Sequence, residues 1–206
     1  MVEFPLSYVS RPPEEPTTDA PAVLLLHGYG ADEADLLSHA DYLPSDLHVL
    51  SVRGPHPAGE NEYAWMASGR DLFGRSVELL GEFAERVPDA YDVDPHRVGL
   101  FGFSQGAKAA LAALVTDPQL YRWAVAMNGY LPREYADRER VARARERSVF
   151  VGVGEDDAVI SPDHGEDSAD FLADAELDVT FRSYPVGHRI AAEAVDDVAE
   201  WLRSRR

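Results

Sequence analysis

Four short segments of the chain carry groups suited to nucleophilic chemistry: HGYG at 27–30, GFSQG at 102–106, GEDD at 154–157 and PVGHR at 185–189. In GFSQG a serine stands between two glycines, where an apolar run hands over to an alanine-rich helical pattern. A sharp strand-to-helix bend there would present the Ser104 hydroxyl, and Gly102 and Gly106 would remove side chains that clash where such a bend packs tightly. The helix dipole and free amides at that end favour negative charge developing beside the serine. The plainer reading is a tight turn whose serine only caps the helix.

A serine hydroxyl is a poor nucleophile until a base takes its proton, and histidine is the usual base near neutral pH. Of the 7 histidines, His188 follows a β-prone run and precedes the last helical pattern, so it can reach over a sheet rim. His27 precedes a glycine turn and reads as structural, holding that loop by hydrogen bonds. His164 opens a helix in a solvated context, and His39, His48, His56 and His96 have no partner in view. The base needs a carboxylate to fix its tautomer and stabilise the imidazolium. Glu155, Asp156 and Asp157 all stand in the right place, and position alone does not choose among them. The oxyanion formed on attack needs two backbone donors, one from Gln105, directly after the nucleophile, and one from HGYG, at Tyr29. Neither of those two side chains is required for that role.

Such groups need elements to bring them together. Short β-prone runs at 22–27, 48–52, 97–101, 123–127, 148–153 and 179–184 alternate with helical patterns near 33–43, 70–87, 105–116, 162–175 and 190–203. Most runs are unbroken apolar stretches, which suits strands covered on both faces. Strands alternating with helices predict an α/β fold around a mostly parallel sheet, with EFPLSYV at 3–9 as an antiparallel edge strand. The proline-rich RPPEEPTTDAP at 11–21 reads as a surface loop, and residues 1–206 as a single domain. All four reactive segments follow β-prone runs, at the strand ends where ligands bind in open α/β sheets.

Composition narrows the partners. The chain has 37 acidic and 19 basic residues, a net charge of −18, and Lys108 is its only lysine. Such a charge repels nucleic acid and anionic membrane surfaces, so neither is expected as a partner. The acids are spread along the chain, which suits the cytoplasm of an extreme halophile, where a Debye length of about 3 Å at 1 M salt screens self-repulsion. A higher unfolding midpoint in molar salt than in dilute buffer is the corresponding test. With no cysteine, thiol nucleophiles and thiolate metal sites are excluded. The acid-rich runs lack the alternating pattern of a calcium loop, so no metal and no cofactor is expected. The N-terminus lacks a basic segment followed by an apolar one, and no run approaches a membrane span. A soluble, cytoplasmic protein without membrane insertion is the expectation; a homodimer is compatible with the sequence but not derivable from it.

The order Ser104, Asp157, His188 resembles that of α/β-hydrolases. More narrowly, LLLHGYGADEADLL, SVRGPHP, VGLFGFSQGAKAALAAL, GEDDAVISP and YPVGHRI are similar, in order and spacing, to the phospholipase/carboxylesterase family of compact serine esterases that includes acyl-protein thioesterases. The resemblance implies an α/β-hydrolase fold with helices on both faces of the sheet and no large lid. It implies Ser104, Asp157 and His188 as catalytic residues and Tyr29 and Gln105 as oxyanion amides. It also decides for Asp157 over Asp156, since the family's acid directly precedes a short apolar run leading to a proline. The implied activity is carboxylic ester hydrolysis of a small-molecule substrate through an acyl-enzyme, with thioesters or lysophospholipids as alternative substrates. A non-catalytic receptor or interaction module on the same scaffold is the rival. The chain departs from many thioesterase-like members in NEYAWMASG at 61–69, where Trp65 with Tyr63 and Met66 is expected either to wall the acyl pocket or to pack as core. LPREYADRERVARARERS at 131–148 has no apolar stripe for a lipid-gripping lid and reads as a solvated helix or loop.

Overall fold

The computed structural model describes residues 2–15, 17–67 and 72–205. In chain order the strands are β1 (Tyr8–Arg11), β2 (Ala20–Leu26), β3 (His48–Val52), β4 (His56–Gly59), β5 (Glu62–Ala64), β6 (Val93–Phe103), β7 (Trp123–Met127), β8 (Ser148–Gly154) and β9 (Asp178–Tyr184). The helices are α1 (Leu37–Ala40), α2 (Leu72–Tyr91), α3 (Gln105–Thr116), α4 (Arg138–Ala142), α5 (Pro162–Asp174) and α6 (Ala192–Arg203). The main sheet has 7 strands in the order β1-β3-β2-β6-β7-β8-β9. All its ladders are parallel except β1 on β3.

The apolar runs become strands covered on both faces because successive residues point to opposite sides. On one face Ala22, Leu24 and Leu26 of β2, Val98 and Leu100 of β6, and Val149, Val151 and Val153 of β8 pack against α2, α3 and α5. On the other, Val23 and Leu25, Phe101, Trp123 and Val125, and Phe150 meet α1 and α6. The helices therefore lie on both sides of the sheet, and the strand ends are left for the loops that carry function. Among the described residues no helix is long and apolar enough to cross a membrane.

Several details differ from the sequence expectations. The antiparallel edge strand begins at Tyr8, so it takes up only the end of EFPLSYV. Helix α1 is short because Asp32 and Glu33 are drawn into other bonds: the Asp32 carboxylate accepts from the Ala34 amide at 2.9 Å, and Glu33 pairs with Arg53. Helix α2 runs past 87 through Pro88, its last turn tied to β1 by a 2.6 Å bond between the Tyr8 and Tyr91 hydroxyls. The segment 131–148 forms α4, whose N-cap Asp137 accepts from the Arg140 amide at 2.9 Å, and it buries Leu131, Tyr135, Val141 and Ala144 instead of staying wholly solvated. An antiparallel hairpin of β4 and β5 stands outside the main sheet.

Candidate active site

The central strand β6 ends at Phe103 and α3 begins at Gln105, leaving Ser104 alone to make the bend. Its backbone is left-handed, with φ 54° and ψ −113°, a conformation that costs a non-glycine residue about 1–3 kcal/mol and persists only where the surroundings enforce it. The enforcement is visible on both sides. The Ser104 amide donates to the Met127 carbonyl at 2.9 Å, and its carbonyl accepts from the Lys108 amide at 3.2 Å. A Cβ on Gly106 would run into the Leu26 and His27 carbonyls, and one on Gly102 into the Gly106 backbone, so both glycines are required by close approach.

The turns after β8 and β9 bring two further side chains to this hydroxyl. His188 Nδ1–H donates to Asp157 Oδ2 at 2.7 Å. The proton held there leaves Nε2 as the acceptor for the Ser104 hydroxyl, at 2.9 Å. Of the three neighbouring acids, Glu155 and Asp156 are exposed and only Asp157 is buried. The Asp157 carboxylate accepts four bonds: Oδ2 from His188 and from Asn128 Nδ2 at 3.0 Å, Oδ1 from the Val159 and Ile160 amides at 2.8 and 2.9 Å. Burial opposes its ionisation, but the bonds from Asn128, Ile160, His188 and Val159 outweigh burial and hold the carboxyl below its ordinary range. An ionised, four-fold bonded carboxylate fixes the imidazole tautomer. Asn128, at φ 51° directly after β7, was not singled out from sequence. The signal was present, since NG follows an apolar strand just as the other reactive segments do.

The loop 27–31 is strapped down at every residue that could swing. His27 is buried, and Nε2 accepts the Gly54 amide at 2.9 Å, so the ring proton is on Nδ1 and donates to the Gly28 carbonyl at 2.6 Å. Gly28 carbonyl and Tyr29 amide belong to one planar peptide, so this bond orients the Tyr29 N–H. The Gly30 amide donates to the Tyr63 carbonyl and the Tyr63 amide to the Ala31 carbonyl, both at 3.0 Å. Neither the Tyr29 nor the Gln105 amide is donated to another group among the described residues. The Tyr29 side chain, in contrast, is 64% exposed.

The segment after the β4–β5 hairpin plays a part different from the expected pocket wall. Trp65 is fully buried and donates its indole N–H to the His27 carbonyl at 3.0 Å. Of the two roles expected for Trp65, it therefore takes core packing and supports the loop from below. The Tyr63 hydroxyl accepts from Arg53, whose guanidinium lies 4.3 Å from the Tyr63 ring centre and is paired with Glu33. Tyr63, part-exposed, is thereby committed to a buttress, and Met66 is part-exposed with its amide bonded to the Gln105 side chain. The Gln105 side chain also has work to do: Oε1 accepts the Trp65 and Met66 amides at 3.0 and 3.1 Å. Residues 63–66 thus tie both amide-bearing turns, 27–31 and the start of α3, to one support.

A family model described as Phospholipase/Carboxylesterase matches residues 11–205. A Bacillus subtilis protein named putative hydrolase MhqD is 26% identical over 196 residues, covering 92% of this chain and 96% of its own. Acyl-protein thioesterase 1 of Kluyveromyces lactis is 27% identical over 206 residues, covering 87% of this chain and 90% of its own. Among solved structures, the Bacillus cereus carboxylesterase superposes with a TM-score of 0.83 at 26% identity, covering 98% of this chain and 95% of that one. Esterase PE8 gives 0.85 at 24% identity over 98% and 99%, a likeness of fold.

Proposed function

Given that the chain belongs to the phospholipase/carboxylesterase family, we propose that it is a serine carboxylesterase working through an acyl-enzyme. The observation that carries this reading is the unbroken relay from Ser104 through His188 to Asp157, with contacts of 2.9 and 2.7 Å. As Ser104 Oγ attacks the ester carbonyl, its proton passes to His188 Nε2, and Asp157 stabilises the imidazolium. The Tyr29 and Gln105 amides hold the charge that develops on the carbonyl oxygen. The imidazolium then protonates the departing alcohol, leaving an acyl group on Ser104. Water, deprotonated by the same nitrogen, attacks the acyl-enzyme and releases the acid.

A fluorophosphonate probe should label the folded protein at Ser104, and 4-nitrophenyl butyrate should be hydrolysed. A folded protein that neither reacts with the probe nor turns over the ester would instead be a binding module on a hydrolase scaffold. A second reading keeps the relay and changes the bond to a thioester. It is favoured by the likeness to acyl-protein thioesterase 1 over 87% of this chain. Matched oxygen and thiol esters of one acyl group, compared by kcat/KM, separate the two.

A further inference from the structure

The only lysine among 19 basic residues, Lys108, lies one helical turn beyond the nucleophile, its amide bonded to the Ser104 carbonyl. Its placement is electrostatically unfavourable on local grounds, because the N-terminal end of a helix carries the positive end of the dipole. In a chain with 37 acidic residues a counter-ion would be easy to supply. Some arginines have one: Arg11, Arg53, Arg97 and Arg205 each meet a carboxylate. None of the ion pairs among the described residues uses Lys108. Its ammonium instead lies 4.3 Å from the ring centre of Tyr130, a contact that positions a cation without neutralising it.

Tyr130 is itself tied to the site. It follows Asn128, which holds Asp157, and Gly129, where an added Cβ would press on the Ser104 carbonyl and on Ala107. Its ring also meets the His164 ring, with centres 5.1 Å apart. Lys108 and Tyr130 are both part-exposed. The chain thus keeps one part-exposed ammonium, held on an aromatic face and in none of the ion pairs among the described residues, on the helical turn that follows the nucleophile.

We propose that Lys108 binds a carboxylate carried by the substrate, so that the preferred substrates are small esters bearing a free acid group close to the scissile bond. A lone ammonium neutralises one negative charge, which matches a monocarboxylate; a dianionic phosphate is better met by several donors or by the fork of an arginine. The overall charge of −18 repels anions at long range, so an acid ester would need a local cation once it reaches the site. The inference rests on the esterase reading above.

The test compares the mono-4-nitrophenyl ester of glutaric acid with 4-nitrophenyl valerate, which differ by the acid group. A second pair, 4-carboxyphenyl butyrate and phenyl butyrate, places the acid in the alcohol half. In at least one pair the native protein should favour the acid ester in kcat/KM. That selectivity ratio should fall about tenfold in Lys108→Met, mainly through KM, and should be retained in Lys108→Arg. A ratio unchanged in Lys108→Met, or native discrimination against the acid ester in both pairs, overturns the proposal. If Ser104 is labelled and the neutral esters are hydrolysed while the ratio stays flat, only this inference fails. If Ser104 is not labelled and no ester is cleaved, the esterase reading fails with it.

Discussion

The site has two halves built by different means. In the proposed acid–base half, function would rest on side chains: Ser104, His188, Asp157 and Asn128 form a chain of bonds between 2.7 and 3.0 Å. In the proposed oxyanion half, function would rest on two backbone amides, and the side chains of His27, Trp65 and Gln105 are bonded so as to hold the turns that carry them. The first half is intolerant of a change in residue type. The second is intolerant of a change in backbone position. Mutations should therefore separate the halves by what they do to the kinetics.

The largest effect belongs to the acid–base half. Asp157→Asn should lower kcat by about 10⁴-fold, since an amide in place of the carboxylate favours the wrong imidazole tautomer. Asp156→Asn, one residue earlier and exposed, should stay within about twofold, as surface substitutions away from such networks do. Steady-state kinetics on 4-nitrophenyl butyrate checks both, and comparable losses at the two positions would break the assignment of the acid.

Next comes the support under the amides. Gln105→Ala leaves the Trp65 and Met66 amides without their acceptor and frees the first turn of α3 from the segment that also holds the loop 27–31. The expected loss is on the order of 10–10² in kcat with KM little changed, somewhat below the loss on removing an oxyanion donor outright. A KM effect with kcat preserved would instead make Gln105 a substrate contact. Trp65→Phe keeps most of the buried ring but removes its bond to the His27 carbonyl. It should destabilise the fold by about 1–3 kcal/mol in a denaturant titration, the range for a buried acceptor left unmade, with a smaller fall in kcat than at Gln105.

The same division explains what could be read from the sequence. Side-chain chemistry after a strand leaves a mark: GFSQG and GEDD each follow an apolar run and PVGHR a β-prone one, and their alignment on one rim follows from a parallel sheet. Strands β2, β7, β8 and the second half of β6, from Val98, were legible because burial on both faces leaves them almost wholly apolar. The choice between Asp156 and Asp157 was not legible from position, because it depends on how the chain turns after Gly154, where the Asp157 amide bonds back to the Gly154 carbonyl at 3.2 Å. It needed the family resemblance. The β4–β5 hairpin, with strands of 4 and 3 residues and no clear alternation, gives no periodic signal. The role of Trp65 stayed open between pocket wall and core, because an aromatic residue next to a reactive loop looks the same in sequence whether it faces substrate or core.

The smallest expected effect, and the one that sets the two halves side by side, is on pH. Burial lowers the His27 pKa below its ordinary 6.5 and outweighs the opposing bond to the Gly28 carbonyl. His48 is lowered by burial as well. A histidine that is neutral when folded and titrates normally when unfolded makes the unfolded state bind more protons, so stability rises with pH through that range. The contribution is therefore full above pH 6.5 and is lost as pH falls below it. Asp157, lowered from 3.8, acts in a separate window: its contribution is full above that value and is lost only on further acidification. Urea midpoints should accordingly fall in two steps on acidification. His27→Gln should flatten the first step without abolishing it, because His48 remains, and should leave the second in place. Opening of the loop lets His27 take a proton, after which it can no longer accept the Gly54 amide, so the upper step should loosen the loop that carries Tyr29 while the Asp157 bonds persist. Amide hydrogen exchange at pH 7.5 and 5.5 resolves the two halves directly. Lower protection factors at Gly54 and Gly30, each rate being compared with the intrinsic rate at its pH, with protection retained at Val159 and Ile160, are expected at the lower pH, and equal loosening at both places would mean that the two halves unfold as one unit.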